Sequence, residues 1–86
     1  MLSDATDQER RHLAMAKKHL ASAEAHVSKQ RELIQTMQAR GGDTNIAQTL
    51  LDTMLVGLDL MRSHLRMIEA RLAQLTAEKP TGRTSE

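Results

Sequence analysis

The sequence predicts an all-α fold: an antiparallel two-helix hairpin of the coiled-coil type that pairs into a homodimeric four-helix bundle. Two long segments repeat apolar residues in alternating steps of three and four, and a glycine pair separates them. The second segment also has an additional apolar row. The 86 residues are 40% hydrophobic and 0% aromatic, which fits one domain whose core is built from Leu, Ile, Val, Met and Ala.

The first helix is predicted over residues 7–40, after an N-terminal cap segment at 1–6. Thr6 can cap this helix, and Glu9, three residues later, can complete a capping box. The inward positions follow the three-four alternation typical of a helix-helix seam. They are Leu13, Ala16, Leu20, Ala23, Val27, Gln30, Ile34 and Met37.

A turn is predicted over residues 41–44. Gly41 and Gly42 can both adopt positive φ at little steric cost, so the sequence leaves open which of them takes the left-handed conformation. Either Asp43 or Thr44 can cap the helix that follows.

The second helix is predicted over residues 45–79. Its inward positions repeat the same alternation: Ala47, Leu51, Met54, Leu58, Met61, Leu65, Ile68, Leu72 and Leu75. Residues 80–86 are polar and contain Pro80, so we expect them to form a disordered tail.

A loop this short forces the two helices to pack antiparallel. With Leu13 and Leu51 as heptad a positions, the e positions place Lys17 opposite Glu69 and Glu24 opposite Arg62. The g positions form a border on the other side of the seam. There, His19 is predicted opposite His64, His12 opposite Arg71 and His26 opposite Gly57.

The second helix has a further apolar row at its g and c positions, which we call the second seam. Its members are Ile46, Leu50, Thr53, Gly57, Leu60, His64 and Met67. One hairpin has no surface with which to cover this row, and oligomerisation is a usual remedy for small domains. The second seam therefore predicts a homodimer, with Gly57 near a close crossing of helices.

The histidines His12, His19 and His26 recur at a spacing of seven. Residues so spaced lie about 10.5 Å apart along a helix, so two of the three cannot share a metal ion. A site across the hairpin can combine His19 and His64 with Met15 and Met67, a ligand set that suits copper best, with zinc and nickel as alternatives. The other interpretation is that these residues only border the seam, and the sequence leaves open whether the His19–His64 pair binds metal or senses pH.

Other functions find little support in the composition. No cysteine is present, serines lack a neighbouring base, and no glycine loop follows a strand, so we expect no enzyme and no cofactor. Twelve basic and eleven acidic residues are interleaved, which gives no reason to expect a nucleic acid or a membrane as partner. The N-terminal stretch "MLSDATDQE" is acidic and lacks the apolar run of a signal peptide, so we expect a cytoplasmic protein.

The stretches "RHLAMAKKHLASAEAHVSKQRELI", "GGDT" and "LLDTMLVGLDLMRSHLRMI" resemble a group of small uncharacterised proteins of soil and root-nodule bacteria. The resemblance covers most of residues 11–72 and implies a helical hairpin, without an activity to transfer. The residues that carry it are His19, Gln30, Arg31, Leu33, Ile34, Gly41 or Gly42, Asp43, Thr44, His64 and Arg66.

These observations predict a non-enzymatic interaction or structural module that acts as a homodimeric helical bundle and can engage another protein. A metal-binding bundle is the alternative. A third interpretation is an RNA-binding hairpin similar to the Rop plasmid copy-number regulators, which rests on analogy of fold alone.

Overall fold

The computed structural model describes residues 2–84, and side chains over residues 4–77. Helix α1 spans Leu2–Ala39 and helix α2 spans Asn45–Thr84. The two pack side by side into a rod of 71 × 17 × 14 Å. The predicted all-α hairpin is therefore confirmed.

The predicted seam between the helices is also confirmed. Every inward position predicted on α1 is buried or half-buried, and the same holds on α2 except for Met61, which is 40% exposed. The most buried apolar side chains are Val27, Ile34, Leu58 and Ile68. No described side chain is less than 2% exposed, so the core of a single hairpin is thin.

The predicted start of α1 is wrong. The helix begins at Leu2 rather than near residue 7, so Thr6 lies inside it and is only 7% exposed instead of acting as its cap. Glu9 accordingly has no capping-box role. The seam continues backwards from Leu13 in steps of four and three to Glu9 and Thr6, and α2 is long enough to lie alongside this additional heptad.

Helix α2 continues past the end predicted at residue 79. It includes Pro80 and ends at Thr84, so residues 80–84, predicted as a disordered tail, are helical; residues 85–86 lie outside the described residues. A proline within a helix removes one N–H donor, and a helix can continue beyond that single lost hydrogen bond.

The turn is a Schellman motif with Gly41 in the left-handed conformation, at φ 73°. The N–H of Gly42 donates to the Met37 carbonyl at 2.9 Å, and the N–H of Gly41 donates to the Gln38 carbonyl at 2.9 Å. These bonds satisfy carbonyls that the end of α1 would otherwise leave unpaired.

Both predicted caps contribute to the start of α2. Asp43 Oδ1 accepts the N–H of Asn45 at 2.9 Å, while the Thr44 carbonyl accepts the first helical bond, from the N–H of Gln48, at 2.8 Å. The Thr44 hydroxyl accepts a further bond from Gln48 Nε2 at 2.9 Å. This paired capping fixes the direction in which α2 leaves the turn.

We expect Gly41→Ala to lower the free energy of unfolding by about 1–2 kcal/mol, because an L-residue is strained in the left-handed region. Urea unfolding followed by circular dichroism measures this loss. Gly42→Ala is the matched control: its Cβ would lie 3.4 Å from the Met37 carbonyl oxygen, and the position does not require positive φ. Equal losses for the two variants would contradict the assignment of Gly41 as the left-handed residue.

Polar contacts across the hairpin fix its register. Arg62 Nη2 donates to Glu24 Oε2 at 3.3 Å, as predicted. The half-buried Gln30 donates through Nε2 to the Ala47 carbonyl at 2.9 Å, so a polar residue in the seam binds the first turn of α2. The pair predicted between Lys17 and Glu69 is not formed among the described side chains; both residues are exposed.

Candidate interaction surface and histidine groove

The second seam lies open on the outer side of the hairpin. Ile46 is 88% exposed, Leu60 67%, Met67 69% and Leu50 50%. His64 is exposed as well, while Gly57 is half-buried. Soluble proteins seldom leave a row of large apolar side chains exposed to water, and such a row usually marks a surface that a partner covers.

The open surface is wider than the second seam. Val56, 61% exposed, lies beside it at a heptad f position, and the other f positions from Thr49 to Ala70 carry no charge. On α1, Met15 and Leu33 are 56% and 50% exposed, at c and g positions. Both helices thus contribute exposed apolar side chains to one face, which we call the apolar face. Sequence reasoning missed the contribution of Val56, although the row of uncharged f positions was visible.

Gly57 is not required by packing within the hairpin. A Cβ placed on it would meet no atom within 4 Å. A glycine in the middle of a helix costs about 1 kcal/mol relative to alanine. The space beside Gly57 is therefore available to a helix that approaches from outside.

The four residues predicted as metal ligands line one open groove of about 650 Å³, which we call the histidine groove. Met15 and His19 contribute from α1, and His64 and Met67 contribute from α2. The groove is also lined by Glu9, Arg11, His12, Ala16, Ile68 and Arg71. His19 and His64 thus line the same groove, one from each helix, and their predicted meeting stays a prediction.

Glu9 joins the two helices at the end of this groove. Its side chain is only 12% exposed and contacts both His12, Nδ1 to Oε1 at 3.1 Å, and Arg71, whose Nε donates to Oε2. His12 and Arg71, predicted to oppose each other, are therefore linked through a shared carboxylate. Sequence reasoning missed this role because it assigned Glu9 to a helix cap.

We expect Arg71→Ala to lower the free energy of unfolding by about 1–3 kcal/mol, since it removes an ion-pair partner of a nearly buried carboxylate. Glu9→Leu, which places an apolar residue in the seam, should leave stability equal or higher. Thermal unfolding measures both. Arg66→Ala is the control, because Arg66 is exposed and, among the described side chains, its one hydrogen bond is to Ser63. A loss for Arg66→Ala as large as that for Arg71→Ala would contradict the role given to Glu9.

Metal-binding capacity in the described residues is limited. No three of their His, Asp and Glu side chains come together closely enough to hold a metal ion. A site in the histidine groove would depend on two imidazoles assisted by two thioethers, a donor set suited to soft copper(I) rather than to zinc or nickel.

Comparison with known proteins identifies no relative: the chain matches no protein-family model, no curated protein and no solved structure. The resemblance to small bacterial hairpin proteins therefore stays a prediction. Within the described residues, neither helix has an apolar stretch long enough to cross a membrane.

Proposed function

We propose that the chain is a non-enzymatic interaction module that works as a homodimer, with two hairpins forming a four-helix bundle. The observation that carries this proposal is the exposed apolar face, centred on the second seam and extended by Val56, Met15 and Leu33. Such a face on a small domain is typical of a surface that binds another polypeptide.

The exposed area of the single hairpin supports this proposal. Its accessible surface is 6656 Å², whereas a compact monomer of its mass, 9.6 kDa, would expose about 5,100 Å². A stable protein interface removes about 800 Å² from each partner. The hairpin therefore has enough surplus surface for a dimer contact of ordinary size.

The direction of the second seam favours a second copy as the partner. Positions c and g lie about 110° around the helix from the a and d positions of the hairpin seam. In a four-helix bundle each helix stands at a corner, and the directions from it to its two neighbours are nearly at right angles. The second seam contains no Asp, Glu, Lys or Arg, so it can pack against itself without bringing such like charges together.

The proposal is tested by thermal unfolding at two protein concentrations a hundredfold apart, for example 1 and 100 μM. A homodimer unfolds at a higher temperature when it is more concentrated, because dissociation accompanies unfolding. A Tm that rises with concentration supports the proposal. A Tm independent of concentration, with helicity intact, would contradict it and leave the apolar face to a different partner.

Copper(I) binding is the second candidate function, and the observation in its favour is that Met15, His19, His64 and Met67 line one groove. Imidazole and thioether are both suitable donors for this soft ion. The proposed dimer and copper binding use overlapping surfaces, because His64 and Met67 belong to both the second seam and the histidine groove.

Competition with a chromophoric copper(I) chelator, under anaerobic reducing conditions, tests this candidate. Copper binding predicts one ion per chain with a Kd below about 10 μM, or roughly −6.8 kcal/mol. His64→Gln and Met67→Leu should each weaken it at least tenfold. His26→Gln should not, because His26 is exposed and does not line the groove. Binding weaker than this limit, or equal for all variants, would remove copper as a ligand.

A further inference from the structure

We infer that two copies pack with their α2 helices antiparallel, Gly57 on the two-fold axis, and Ile46 of each copy in the histidine groove of the other. This inference rests on the proposed homodimer and specifies its geometry. It follows from the spacing of the second seam, the open space at Gly57 and the location of the groove.

The second seam is nearly symmetric about Gly57. Thr53 and Leu60 lie four and three residues from it, and Leu50 and His64 each lie seven residues away. Ile46 and Met67 lie eleven and ten residues away. An offset of one residue is about 1.5 Å along a helix, so an antiparallel copy centred at Gly57 brings every member of the seam level with another.

The same arrangement pairs like heptad positions. Because Gly57, a g position, lies on the two-fold axis, each g position lies level with a g position of the other copy, and each c position lies within one residue of a c position. Leu50 and His64 are both g positions, and Thr53 and Leu60 are both c positions. Each polar side chain of the second seam is thereby covered by a leucine of the other copy. A parallel pairing would instead place Thr53 against Thr53 and His64 against His64.

The apolar residues of α1 also favour the antiparallel arrangement. Met15 and Leu33 are exposed on the same side of the hairpin as the second seam. A two-fold axis perpendicular to the helices brings the α1 helices of the two copies side by side and covers both residues. With a two-fold axis parallel to the helices, α2 would still meet α2, but the two α1 helices would point away from each other.

The histidine groove then receives Ile46 of the second copy. Ile46 is the most exposed large apolar side chain among the described residues, at 88%. In the antiparallel register it lies level with Met67, which lines the groove together with Met15 and Ala16. Two-fold symmetry repeats this contact, so the turn end of each hairpin covers the open end of the other.

Disulfide trapping tests the orientation, and the absence of native cysteine makes single-cysteine variants unambiguous. Ile46→Cys and Met67→Cys are prepared separately, and each is oxidised alone and as an equal mixture. Cysteines can bridge only when their Cα atoms lie within about 7 Å. The antiparallel geometry predicts that the mixture forms a 46–67 covalent dimer at least tenfold faster than either variant forms its own. Sedimentation equilibrium of each reduced variant is measured in parallel.

The outcomes separate this inference from the proposed homodimer. Cross-linking of each variant with itself, and not across the mixture, would establish parallel packing and overturn the inference while retaining the homodimer. Dimers in sedimentation that do not cross-link in any combination would also overturn it. Monomeric variants together with a monomeric parent chain would overturn the homodimer itself. If only the variants are monomeric, Leu50→Cys and His64→Cys, which lie level with each other at g positions of the second seam, replace them with the same expected pattern.

Discussion

Leu60→Lys is expected to convert the proposed dimer into a monomer, raising the dimer Kd at least about a hundredfold. Leu60 lies in the second seam and is 67% exposed in the single hairpin, so its removal costs the hairpin little. In the dimer, the substitution loses the burial of a leucine and places an ammonium group in an apolar contact. Sedimentation equilibrium measures the change, since about 1.4 kcal/mol corresponds to each factor of ten.

The matched control is Ala73→Lys, on the same helix at an exposed position outside the second seam. It should leave the dimer Kd within a few-fold of the parent. Circular dichroism should show unchanged helicity for both variants. A Leu60→Lys chain that remains as dimeric as Ala73→Lys would show that α2 does not pair through the second seam.

Leu58→Ala should lower the free energy of unfolding by about 2–5 kcal/mol, the usual loss for a buried leucine. Leu58 is 5% exposed and is among the four most buried apolar side chains of the thin hairpin core. Each kcal/mol of this loss lowers Tm by roughly 4–8 °C in a domain of this length. Thermal unfolding at fixed protein concentration measures it.

Leu55→Ala is the control for this prediction, because it removes the same atoms from a half-buried leucine at an e position, on the side of α2 away from the second seam. Its loss should be less than half that of Leu58→Ala. Similar losses for the two variants would contradict the placement of Leu58 at the centre of the hairpin seam.

The periodic part of the fold could be predicted from the sequence because helix-helix packing depends on a simple repeat. Steps of three and four placed Val27, Ile34 and Leu58 in the seam, and the charges at e positions identified the Glu24–Arg62 pair. Lys17 and Glu69 satisfy the same rule and remain apart. An exposed ion pair contributes little energy, so the rule identifies which charged residues oppose each other but does not ensure that each pair forms.

The helix ends could not be predicted, because polar residues near a helix end can either cap the helix or continue it. Thr6 and Glu9 form a plausible capping box, yet they also continue the seam by one heptad, and the longer seam is what the structure contains. Similarly, Pro80 predicted that α2 ends before residue 80, but the helix continues past it to Thr84. At the turn, two adjacent glycines fit the left-handed position equally well, and only backbone geometry identifies Gly41.

The candidate surface was partly visible in the sequence. The second seam was identified from its spacing, but Val56, Met15 and Leu33 join it only when exposure is known. The grouping of Met15, His19, His64 and Met67 around one groove required the relative rotation of the two helices, which heptad positions give only approximately.

Sedimentation equilibrium of the unmodified chain at micromolar concentration tests the proposed homodimer most directly. Self-association through the second seam predicts a single species of twice the chain mass of 9.6 kDa, with a dimer Kd at or below the micromolar range. A species of 9.6 kDa that retains its helicity across this range would contradict self-association.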